Sequence, residues 1–191
     1  MKRKSLIIRY VCSILAMLFL LSSCSDDVQQ EYNSKYRCYF SFNAEFHPAC
    51  DLVPCIAQQS MGTYCIVTKS AGEGATYNLN LTLFRKQTTT EPIRTAEETR
   101  QRCIIGANNG LIIGRSALNN GELYAYDLMC PDCMERSKYK ALAFDTSAKV
   151  VCKECKSTYS LDNNGFPISG TQQKLIRYHA NYNGKILVVT N

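Results

Sequence analysis

Cysteine offers the most chemistry in this chain. Two Cys-x-x-Cys pairs stand in the C-terminal half, Cys130-Pro-Asp-Cys133 and Cys152-Lys-Glu-Cys155, with 18 residues between them. Two intervening residues let a tight turn aim both sulfurs at one point. Two such turns can close a tetrahedron of thiolates around a single metal ion, and this spacing is that of structural zinc sites. Four thiolates leave a zinc site negatively charged, and Arg136, Lys138, Lys140, Lys149, Lys153 and Lys156 are near enough in sequence to offset it. Two other chemistries compete for the same residues. One is an iron–sulfur cluster of the [2Fe–2S] type on four cysteines; the other is disulfide formation, which is favoured outside the cytosol. Thiol exchange at Cys130–Cys133 is less well supported, because no βαβ pattern surrounds the pair and exchange has no use for a second matching pair.

Five further cysteines are Cys38, Cys50, Cys55, Cys65 and Cys103. Cys50 and Cys55 flank Asp51-Leu-Val-Pro54 in a segment that reads as a loop, with His47 three residues earlier. The expectation there is a disulfide clamp, with a second metal site as the alternative. Only two histidines are present, His47 and His179. His179 reads as a surface or edge residue of a strand. A zinc ion with four protein ligands has no vacant position for water or substrate. With so few histidines and no catalytic triad, no catalytic residue is assigned, and the reading leans away from an enzyme, a redox or electron-transfer role aside.

These residues need a scaffold, and the composition provides one. The chain has 191 residues, 46% hydrophobic and 20% charged, which excludes a disordered polymer and suits one folded domain. Net charge is +6, yet four basic residues (Lys2, Arg3, Lys4, Arg9) lie in the first nine positions; without them 18 basic residues face 16 acidic ones. The basicity thus belongs to the leader, and a nucleic-acid partner is not expected. Strand patterns dominate the rest: 36–42, 63–68, 76–84, 103–105, 111–113, 123–129, 139–144, 150–152, 175–182 and 186–189. Asn-Gly at 109–110, 120–121, 164–165 and 183–184 marks hairpin junctions. Thr95 with Glu98 forms a capping box that opens a short helix over 96–102. Long connections are expected around 43–60 and 85–95. The fold class is therefore mainly β, a single antiparallel domain over 36–191 with a metal-binding subdomain at about 121–170.

The N-terminus carries its own signal. Residues 1–23 have a basic start, an apolar run from Val11 to Leu21 too short to span a bilayer, and then Ser22-Ser23-Cys24. Leu21-Ser22-Ser23-Cys24 resembles the lipobox of bacterial lipoproteins. The resemblance implies cleavage before Cys24, lipidation of Cys24, and a membrane anchor behind a polar tether over 24–35. Ser25 after the cysteine is similar to outer-membrane sorting, and Asp26-Asp27 resembles the acidic tag of surface-displayed lipoproteins. The implied location is the cell envelope, anchored to the outer membrane, with an envelope partner that the sequence does not name. The leader lacks a twin-arginine pair, so export as an unfolded chain is expected, with metal captured afterwards.

The flanks of the two cysteine pairs resemble the Rieske family. Gly121-Glu-Leu-Tyr-Ala-Tyr-Asp-Leu-Met-Cys130 is similar to the strand entering that family's first cluster loop. Cys152-Lys-Glu-Cys-Lys-Ser-Thr-Tyr-Ser160 is similar to its second loop. Asn164-Gly165, Gly170 and Leu175-Ile-Arg-Tyr178 match its Gly turn, Gly-Pro turn and Leu-x-x-Tyr strand. The resemblance covers about residues 100–191 and implies a β-sandwich or barrel. It also implies that Ser157 and Tyr159 support the centre by hydrogen bonds to it and to its cysteine. The departures are specific. The family's first histidine position is Asp132, with Cys133 beside it, and its second is Cys155. Lys156 and Ser160 replace a glycine and an aspartate. A two-histidine iron therefore has no ligands at the motif positions. The order of expectation is Zn2+ on Cys130, Cys133, Cys152 and Cys155, then a four-cysteine [2Fe–2S] cluster, with disulfides competing against both.

Overall fold

The computed structural model describes Tyr32 and residues 35–191, apart from positions 75 and 101. The leader, Cys24 and most of the expected tether lie outside the described residues. The strands are β1 (Tyr39–Asn43), β2 (Thr63–Ala71), β3 (Tyr77–Leu83), β4 (Thr89–Ile93), β5 (Gly110–Arg115), β6 (Leu123–Asp127), β7 (Leu142–Thr146), β8 (Lys149–Cys152), β9 (Thr158–Ser160), β10 (Pro167–Ser169), β11 (Arg177–Tyr182) and β12 (Ile186–Thr190). Three one-turn helices join them: α1 (Leu52–Ile56), α2 (Ala96–Arg100) and α3 (Pro131–Glu135). The architecture is mainly β and antiparallel, as expected. An eight-stranded sheet, β1-β12-β11-β6-β5-β2-β3-β4, curls into a half-barrel, and a four-stranded sheet, β10-β9-β8-β7, accompanies it.

The burial pattern explains the arrangement. β3 alternates buried and half-buried residues along its length, as a sheet covered on one face should. β6 is buried at every position and β5 at all but its last, so this part of the large sheet is covered on both faces. On one face Leu111, Ile113, Ala125, Cys65 and Val67 join Phe40, Phe42, Leu79 and Leu81 in the core inside the curl. On the other, Ile112, Tyr124, Tyr126, Tyr64 and Ile66 pack against Val150, Tyr159 and Leu161 of the small-sheet region. Full burial of side chains of this size is worth about 1.5–3 kcal/mol each. The polar ends of the buried tyrosines are satisfied: Tyr126 donates to the Leu161 carbonyl (2.9 Å) and Tyr64 to Asp162 (3.0 Å).

Local expectations are met in part. Helix α2 is held by the capping box, with the Glu98 N–H donating to Thr95 Oγ1 (3.3 Å) and the Thr95 hydroxyl to Glu98 (2.6 Å). At 120–121 and 164–165 both Asn and Gly adopt positive φ, the signature of a type I′ turn. Segment 103–105 forms only a bridge, Ile104 with Tyr39. The connection expected over 43–60 contains α1, and that over 85–95 contains β4, an edge strand whose Pro92 needs no outer partner. His179 is exposed on β11, which lies between β6 and β12 and is therefore not an edge strand. Among the described residues no helix is long and apolar enough to cross a membrane.

Candidate metal centre

The first knuckle begins where the chain leaves the large sheet. β6 ends at Asp127, and Met129 then bridges to Ala141 beside the small sheet. Asp127 is fully buried and makes this crossing firm. Its carboxylate accepts the N–H groups of Ala107 (2.6 Å) and Met129 (2.8 Å) and the Tyr178 hydroxyl (2.7 Å). Burial pushes the Asp127 carboxyl above its ordinary value, and these three hydrogen bonds pull the other way. Next, Cys130 donates its N–H to the Lys140 carbonyl (2.8 Å), and Pro131 opens helix α3, where a missing N–H is harmless. The Cys133 carbonyl then accepts the N–H groups of both Arg136 and Lys138, wrapping residues 136–140 around the turn. That wrap delays β7 to Leu142, against the expected start at 139. The second knuckle closes with the Lys156 N–H on the Cys152 carbonyl (2.9 Å) and the Cys152 N–H on the Ser157 carbonyl (3.0 Å).

The two turns bring the sulfurs of Cys130, Cys133, Cys152 and Cys155 within 4.8 Å of one another. Two pairs run between the loops, Cys130–Cys155 and Cys133–Cys152, each at 3.6 Å. A tetrahedron with zinc–sulfur bonds of about 2.3 Å has edges of about 3.8 Å, so the spacing fits one ion. All nine described cysteines are free thiols, and the knuckle sulfurs are in contact without being bonded. Cys130, Cys133 and Cys152 are buried, and Cys155 is partly exposed.

The surroundings act on the knuckle thiols in opposite directions. Burial acts to raise the Cys152 thiol, but the N–H groups of Cys155 and Glu154, with the Cys155 and Cys133 thiols, outweigh it and hold Cys152 below its ordinary value. Burial raises Cys130, opposed by the Tyr159 hydroxyl and the Cys133 N–H. Cys133 is pushed up to about 11 by burial and by the Cys155 and Cys152 thiols. A metal ion favours the deprotonated form of all four, so loading releases protons. The Tyr159 hydroxyl lies 3.5 Å from Cys130 Sγ, and Ser157 Oγ lies 3.3 Å from Cys155 Sγ. Both residues flagged by the family resemblance thus touch the sulfurs directly. Ser157 also donates to Asp132 (3.4 Å), a contact between the loops that the motif gave no reason to expect.

The six nearby basic residues are not equivalent. Arg136 pairs with Asp132 (2.6 Å), and Lys138 pairs with Glu154 across the two loops (2.9 Å). Lys149 stands at the other end of β8 from Cys152. Lys153 and Lys156 each follow a knuckle cysteine directly and are exposed, as is Lys140.

Elsewhere the expectations for Cys50 and Cys55 are corrected. They are not bonded to each other, and no second metal-ready group exists among the described residues. His47 is committed to other partners: Nδ1 to Glu91 (2.7 Å) and Nε2 to the buried Glu98 (3.0 Å). Comparison with known proteins finds no matching family model, no matching curated protein and no matching solved structure.

Proposed function

We propose that the mature chain is an outer-membrane lipoprotein, anchored through Cys24, whose Rieske-like domain holds one structural Zn2+ and serves as a non-catalytic binding or structural module of the envelope. One observation carries the metal assignment: all four sulfurs lie within 4.8 Å of one another. A two-iron cluster would hold its two sulfur pairs apart across its own core, whereas this spacing suits a single ion. Cys130, Cys133, Cys152 and Cys155 would hold the ion and leave it no open position, so its contribution is to folding rather than to bond-making. Tyr159 would donate a hydrogen bond to the Cys130 thiolate, spreading its negative charge, while Ser157 links the Cys155 sulfur to Asp132. The anchor rests on the leader and on the Leu-Ser-Ser-Cys24 pattern.

The test has two arms. Elemental analysis and a visible spectrum of the purified chain should give one zinc per chain and no colour. Labelled fatty acid should enter the wild-type chain and not Cys24→Ala, and only the wild type should sediment with outer membranes. Colour that bleaches on reduction would replace the structural reading with electron transfer. Unlabelled, soluble wild type would remove the anchor.

A further inference from the structure

A cleft of about 510 Å³ opens between the β2–β3 hairpin and the end of helix α2 with the segment that follows it. It is lined by Lys69 from β2, by Thr76 and Tyr77 from the turn and start of β3, and by Arg100, Arg102 and Cys103 from the α2 side. Three cations thus line one space, and none of the residues lining it is acidic. Lys69 is half-buried and fixed by neutral groups: its ammonium donates to the Cys103 carbonyl (3.1 Å) and lies 5.0 Å from the centre of the buried Tyr77 ring. Arg100 and Arg102 are exposed. Glu98, the buried acid of α2, is taken by His47 and Thr95. Among the described residues no carboxylate pairs with Lys69, Arg100 or Arg102. Like charges gathered in this way repel one another, and a multivalent anion between them removes the repulsion.

We propose that this cleft binds a phosphoryl group, with Arg100 and Arg102 gripping its oxygens and Lys69 supplying a fixed charge beside Tyr77. Guanidinium forks match the paired oxygens of a phosphate, and an ammonium held by neutral partners serves as a point charge. A lone carboxylate would occupy one arginine and leave the other two cations uncompensated, whereas a phosphate monoester carries close to two charges at neutral pH. The Thr76 and Thr99 hydroxyls already donate to the Glu73 and Thr95 carbonyls, so recognition falls to the three cations. The cleft is larger than a phosphate and leaves room for the small molecule or lipid headgroup that bears it. No bond is made or broken there. The site shares no residue with the knuckles, so it stands or falls separately from the metal reading.

Cys103 reports on the cleft from within. It is partly exposed, whereas Cys38, Cys50, Cys55 and Cys65 are buried, and it is the single cysteine between Arg94 and Arg115. The full chain, in neutral detergent and with its metal, is alkylated with iodoacetamide while inorganic phosphate is titrated in. Label on the peptide containing Cys103 is followed by mass. Protection should saturate, slowing the label about tenfold when phosphate reaches about ten times its half-saturating concentration. Arg100→Gln with Arg102→Gln should abolish the protection; both side chains are exposed, so the fold survives the change. Lys149→Gln with Lys185→Gln removes the same charge from exposed positions elsewhere and should keep it. Micelles doped with phosphatidic acid separate the two sources. Protection by free phosphate in plain micelles assigns a soluble ligand, and protection only in doped micelles assigns a lipid headgroup. Absence of protection from both sources, equal slowing by sodium chloride at matched ionic strength, or equal loss in the two double variants would each overturn the site.

Discussion

Gly106→Ala tests how the large sheet positions the first knuckle. Gly106 has φ +69, and an added Cβ would overlap Asp127 Oδ2 and come within 3.0 Å of its Cγ and 3.2 Å of Tyr178 Oη. Two terms add. A non-glycine residue in the left-handed region costs about 1–2 kcal/mol. The carboxylate must also shift, weakening hydrogen bonds to a charged acceptor that are worth about 1.5–3 kcal/mol each. Loss of one such bond gives a total of about 3–5 kcal/mol. For a chain of this size that lowers Tm by roughly 6–20 °C. Gly74 supplies the control, with φ +63 and nothing within 4 Å of a built Cβ. Gly74→Ala should show only the backbone term, about 1–2 kcal/mol. Thermal unfolding of both variants, followed by circular dichroism, isolates the Asp127 contribution as the difference. Gly106→Ala should also retain less metal under mild chelation, because Asp127 Oδ1 holds the N–H of Met129, the neighbour of Cys130. Equal melting of the two variants would refute the role given to Asp127.

Four other outcomes follow from the same contacts. Cys133→Ala and Cys155→Ala should each abolish stoichiometric metal binding and destabilise the domain to a similar degree, whereas Cys50→Ala keeps its metal and loses less; metal content and urea unfolding check this. His47→Ala leaves the buried Glu98 Oε1 without its ring-nitrogen hydrogen-bond partner and should cost about 1–3 kcal/mol in chemical unfolding, with part restored in the double variant with Glu98→Gln. Gly170 has φ +87 and lies against Ser157, with a built Cβ 2.8 Å from its Cα, so Gly170→Ala should destabilise by about 1–3 kcal/mol and speed release of metal to a chelator. Arg177 is almost fully buried, its guanidinium over the Tyr32 and Tyr124 rings (4.9 and 4.3 Å) and paired with Glu122; Arg177→Lys cannot keep the planar stack and should lower stability by about 1–2 kcal/mol in thermal melts.

Much of this arrangement was legible before any coordinates. Knuckle spacing alone predicts converging sulfurs, because a Cys-x-x-Cys turn aims both side chains one way. Strand β3 announces itself by alternation, and α2 by the Thr95–Glu98 box. What was hidden has physical reasons. α1 contains Pro54 and spans a single turn, too short for helical periodicity to register. β4 has a Pro-containing, Thr-rich edge sequence that reads as loop, and β9 and β10 are three residues each. That Cys55 is buried in the core with α1, unbonded to Cys50, depends on how α1 docks, a tertiary fact that local spacing does not encode. The same holds for Asp127, two of whose partners, Ala107 and Tyr178, come from distant segments, and for Asp132, which reaches Ser157 across the loops.

The central claim is that four sulfurs hold one zinc ion. X-ray absorption at the zinc and iron edges, on the full chain purified without added metal, tests it most directly. The prediction is one zinc per chain with four sulfur neighbours at about 2.3 Å and no iron. Two irons at a short separation, or a metal-free chain with its knuckle cysteines oxidised in pairs, would contradict it.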